Sequence, residues 1–139
     1  MMTGVMVLLS NRNKPPMPII RSIYPYAAAS AVMVLLALTE ATKSLGAHPW
    51  WAVMVIWRGL PIGLALAFAA SFSGVSKPVR AVIFGAVMIV AAFVSSHYHT
   101  RFVAAENADA FWPGRIWFYG WITMMATLPA LITTLLQRK

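Results

Sequence analysis

Long uncharged runs separated by short polar stretches set the pattern of this chain. The first run covers residues 22–39, between Arg21 and Glu40, and the second extends from about 50 to 72 with a single charge, Arg58. The third covers residues 81–96 and the fourth about 116–136. Each approaches the roughly 20 apolar residues that a helix needs to cross the hydrocarbon core of a bilayer. None alternates polar and apolar residues as a membrane strand does. The pattern therefore predicts an all-α fold, an integral membrane bundle of four transmembrane helices with spans near 22–41, 50–72, 79–98 and 115–136. Residues 1–20 are expected to form an N-terminal cytoplasmic segment, and residues 21–139 the four-helix transmembrane domain.

Turn formers mark the connections. Residues 43–46 with His48-Pro49 make the first, and Ser73-Gly74 through Lys77-Pro78 the second. The third, residues 97–115, is expected to be the longest and to leave the hydrocarbon at Asn107, Asp109, Pro113 and Gly114. The apolar patch near the N-terminus is too short for a span and lacks the leading charge and cleavage pattern of a signal peptide. Met1 and Met17 are both compatible with a translation start.

Composition narrows the class. The chain is 60% hydrophobic and 10% charged, with mean hydropathy +0.74, against about 45–50% apolar and about 25% charged in soluble domains. That excludes a water-soluble globular enzyme and a disordered chain. The net charge is +8, but its bases form no stripe, so nucleic acid is not an expected partner. The partners expected are the lipid bilayer and either further copies of the chain (a homo-oligomer) or other membrane subunits. With no cysteine, disulfides, thiolate metal sites and cysteine nucleophiles are excluded.

The charge has a topology. With four spans, Arg12, Lys14, Arg21, Lys77, Arg80, Arg138 and Lys139 share one side, and Lys43, Arg101 and Arg115 the other. The positive-inside rule then places both termini in the cytoplasm of an inner-membrane protein. The three carboxylates (Glu40, Glu106 and Asp109), the three histidines and the six tryptophans are expected on the non-cytoplasmic face. An aromatic belt accounts for interfacial rings in general. It does not account for so one-sided a distribution.

Three groups of residues stand out. Arg58 lies inside the second span, where a charge usually faces the bundle interior or water, with Glu40 as the expected partner; snorkelling to the interface is the alternative. Gly59, Pro61 and Gly63 form a G-x-x-x-G with an internal proline, suited to close helix packing and a bend. His48, His97, His99, Glu106 and Asp109 are candidate ligands on the outer face, although His97 and His99 could face one ion only in an extended chain. Whether a metal binds there is open, and no organic cofactor is expected.

No nucleotide-binding or nucleophile-elbow pattern is present. The leading functional expectation is a non-catalytic multi-pass protein acting by self-assembly or as a subunit of a larger membrane complex. Alternatives are a pore-forming or permeation protein, holin-like or a small transporter, and an outer-face metal or ligand binder.

Overall fold

The structure, a computed structural model, describes residues 18–105 and 110–138. In chain order it contains α1 (Pro18–Leu38), the short α2 (Ala41–Ser44), α3 (Ala52–Ser71), α4 (Lys77–Ala104) and α5 (Phe111–Leu136). The described residues are helical or in turns, with no strand. Helices α1, α3, α4 and α5 are long and apolar enough to cross a membrane. Their flanks carry large exposed apolar side chains, Val82 at 70% and Phe93 at 74% among them, a surface suited to acyl chains rather than water.

Four boundaries differ by three residues or more from the pattern-based expectation; α1 begins at Pro18 rather than 22, taking in residues 18–20 of the expected N-terminal segment. The first long helix stops at Leu38 rather than 41, because Glu40 adopts a left-handed conformation (φ 50°, ψ 33°) and begins α2. Helix α4 continues past 98 to Ala104, since no glycine or proline interrupts residues 97–104. Its 28 residues reach about 42 Å at about 1.5 Å each, beyond a hydrocarbon core of about 30 Å. Helix α5 begins at Phe111, not 115, and takes Pro113 and Gly114 into its first turn. A proline is tolerated there because the first N–H groups have no intrahelical acceptor. The last connection is correspondingly short.

Helix α5 is the hub. Half of its apolar stretch is buried (50%), against 11% for α4, and it packs against α4, α3 and α1. Met33 of α1, Val55 and Ile56 of α3, and Trp117, Trp121 and Met125 of α5 fill the core. The G-x-x-x-G of α3 is the tightest contact. Gly59 and Gly63 are both buried and lie against the backbone of α5 at Met125 and Ala126. Pro129 bears on the Gly59 contact. Lacking an N–H, it leaves the Met125 carbonyl without its i+4 donor, and that carbonyl faces Gly59.

The chain turns between α2 and α3 through a Schellman motif. Gly46 (φ 100°) donates its N–H to the Lys43 carbonyl at 3.1 Å, and Ala47 to the Thr42 carbonyl at 2.8 Å. Only glycine occupies that left-handed position at little cost. The buried Thr42 hydroxyl then donates to the Ala52 carbonyl at 2.6 Å, tying the turn to the start of α3. Two ends result. Lys77, Arg80, Tyr26 and Gln137 meet at one, the basic end; His48, Phe102 and Trp117 meet at the other, the aromatic end.

Candidate functional site

Trp117, 5% exposed, centres the aromatic end. Its ring lies 5.0 Å from Trp51, edge to face, 4.4 Å from His99 and 5.3 Å from Phe102. His48 stacks on Trp51 at 6.1 Å, and Trp51 meets Phe118 edge-on at 5.2 Å. The Ser95 hydroxyl of α4 donates to the Trp117 carbonyl at 3.2 Å, fixing α4 against α5 just below the cluster. Rings in offset or edge-to-face pairs add about 0.5–1.5 kcal/mol each beyond their buried area. The cluster is thus a rigid wall.

Beside this wall is a cavity of about 790 Å³, lined in part by Trp51, Phe102, Phe111, Phe118, Arg58 and Arg115. Gly114 makes room in it: a Cβ there would stand 3.0 Å from the Phe102 ring. The two arginines each rest on an aromatic face. The Arg58 guanidinium is 5.7 Å from the centroid of Phe118, and that of Arg115 is 4.8 Å from Phe111. Among the described residues no carboxylate lines the cavity. Neither guanidinium has an ion-pair partner among the described residues.

The sequence-singled residues divide. Gly59 and Gly63 lie against the backbone of α5, while Pro61 lies on the exposed side of an unbroken α3. The expected pairing of Glu40 with Arg58 is replaced by others. Glu40 pairs with Lys43 at 3.3 Å, three residues on and exposed, and Arg58 turns to Phe118. The left-handed turn at Glu40 gives the physical reason, since it carries the carboxylate out of α1 and into the connection.

His48 and His99 flank Trp117 from two sides, whereas His97 points away on the exposed face of α4 beside Tyr98. With α4 helical through both, the i,i+2 spacing separates His97 and His99 by about 200°. Glu106 and Asp109 lie outside the described residues. Among the described residues, no three histidines or carboxylates are placed to hold a metal ion.

Sequence reasoning missed Arg115, Phe102, Phe111 and Phe118 as companions of Arg58. The signal was present in the spacing. Met54 and Arg58 on α3, with Trp51 just before it, recur at i, i+3, i+7, and Phe111, Gly114 and Phe118 at the same spacing on α5, so each set lies along one side. No family model matches this chain, nor does any curated protein or solved structure.

Proposed function

We propose that this chain is a non-catalytic, multi-pass inner-membrane protein that binds an amphipathic anion in the cavity at its aromatic end. One observation carries the reading: two guanidiniums held on ring faces line one aromatic-walled cavity, with no carboxylate among its described lining residues. Apolar walls suit the body of such a ligand, and a carboxylate or phosphate on it would accept charge-assisted hydrogen bonds from Arg58 and Arg115. The distribution of Lys and Arg along the chain supports cytoplasmic termini and a non-cytoplasmic aromatic end.

Tryptophan fluorescence provides the test, because Trp51 and Trp117 flank the cavity. The protein, in nanodiscs of phosphatidylcholine, is titrated with oleate, oleyl alcohol and oleylamine. Oleate is expected to give a saturable change that Arg58→Gln and Arg115→Gln each weaken by about tenfold, the worth of one charge-assisted hydrogen bond. An equal response to the alcohol, or an unchanged response in both variants, overturns the reading.

Self-assembly is the second reading, and one feature of α4 favours it. This helix packs against α5 but leaves most of its surface free, and a Cβ at Gly85 on it would meet nothing within 4 Å. Lateral contact between copies would use such a flank. A pore, on either reading, would lie between copies, since Met33, Ile56, Trp121 and Met125 fill the bundle itself. A detergent-corrected mass by light scattering, for the native chain and for Gly85→Leu, tests assembly; a monomer in both refutes it.

A further inference from the structure

The basic end holds a second cavity, of about 820 Å³, independent of the first. Arg21 of α1, Lys77 and Arg80 of α4, and Arg138 after α5 line it, and Phe68 of α3 with Phe72 just after it forms an apolar wall. Among the described residues no carboxylate lines this cavity. The chain's only side-chain carboxylates are Glu40, Glu106 and Asp109, and they follow the opposite ends of α1 and α4 in sequence.

The cations are positioned by neutral groups instead. Lys77 donates to the Gln137 carbonyl at 2.8 Å, beyond the end of α5, where the helix dipole favours a positive charge. Arg80 donates to the Gln137 side-chain oxygen at 3.3 Å, and the Gln137 amide donates in turn to the Tyr26 hydroxyl, also at 3.3 Å. One donor is left over. The Arg80 Nε–H is shielded from water and has no acceptor among the described residues, a condition that costs more for a charged group than for a neutral one. Two cations held in place, a guanidinium N–H without an acceptor among the described residues and two further arginines surround one opening.

We propose that this cavity binds the phosphate of an anionic phospholipid headgroup, with Arg80 as its central contact. The neighbouring apolar wall favours a lipid over free phosphate: Phe68 and Phe72, stacked edge to face at 4.9 Å, are both exposed beside the cations, where acyl chains would lie. Basic pockets between membrane helices recognise headgroups in this way. The site is separate from the aromatic end, so the two proposals fail independently.

Native mass spectrometry of the full chain from detergent, with added dioleoyl phosphatidylglycerol, dioleoyl phosphatidylcholine or millimolar inorganic phosphate, tests it. The expected result is retention of phosphatidylglycerol over phosphatidylcholine, weakened about tenfold by Arg80→Gln, as loss of one charged contact predicts. The double variant Arg21→Gln/Arg138→Gln changes two exposed side chains and leaves folding intact; it is expected to weaken retention as well. Arg101→Gln, at the other end, is expected to leave it unchanged. Equal retention of the two lipids, wild-type retention in both the Arg80→Gln and the double variant, or full displacement of the lipid by inorganic phosphate overturns the proposal.

Discussion

Alanine placed at two glycines should move stability in opposite directions. Both Gly59 and Gly85 lie inside long apolar helices, α3 and α4. A Cβ at Gly85 meets nothing within 4 Å, so Gly85→Ala gains only the reduced backbone entropy of the unfolded chain. That gain is about 0.5–1 kcal/mol. At Gly59 the added Cβ would lie 2.5 Å from the Met125 carbonyl oxygen and 2.6 Å from the Met125 Cβ.

Backbone cannot swing aside as a flexible side chain can, so α3 and α5 must separate. Overpacking of that kind costs about 1–3 kcal/mol, which outweighs the entropic gain and leaves Gly59→Ala destabilised by about 1–2 kcal/mol. In a chain of this length each kcal/mol moves the midpoint by about 2–4 °C. Thermal unfolding in one detergent, followed by circular dichroism, should raise Tm for Gly85→Ala and lower it for Gly59→Ala. Shifts of the same sign in both variants would refute the close packing of α3 on α5.

Two buried threonines make a second contrast. Thr42→Val removes the 2.6 Å hydrogen bond to the Ala52 carbonyl and is expected to cost about 1 kcal/mol, whereas the Thr133 hydroxyl is buried without a partner, so Thr133→Val should be neutral or stabilising; chemical denaturation of both variants checks the difference. Glu40→Gly relieves a left-handed backbone that costs a side-chain-bearing residue about 1 kcal/mol, and loses only an exposed ion pair to Lys43; a lower Tm in that variant would contradict the turn. Since Arg58 leans on Phe118 rather than on Glu40, Arg58→Leu and Glu40→Gln should have additive effects on Tm, and strong coupling in the double variant would restore the pairing expected from sequence.

Charge-free length was the legible part of this fold, and helix faces were not. A run of about 20 apolar residues between charges announces a span whatever its neighbours do, which is why all four long helices were found. The face a helix buries is usually read from where its polar residues are absent. Here α3 and α5 are apolar nearly all round, so their inward and outward sides look alike in sequence. The G-x-x-x-G spacing marks Gly59 for close packing, but nothing in the sequence marks the flank of α4 at Gly85 as open.

Arg58 shows the same limit for the site. Its unusual depth was visible, but the partner assigned to it was the nearest carboxylate in the topology, by charge alone. The structure resolves that charge on an aromatic ring contributed by α5, a helix whose position as hub depends on Gly59, Gly63 and Gly120 admitting close neighbours. Small residues therefore decide where the arginine goes. If α5 were held farther from α3, Phe118 would no longer reach the guanidinium and the cavity wall would open. Gly59→Ala should consequently weaken oleate binding as well as lower Tm, whereas Gly85→Ala, on the free flank of α4, should leave binding unchanged.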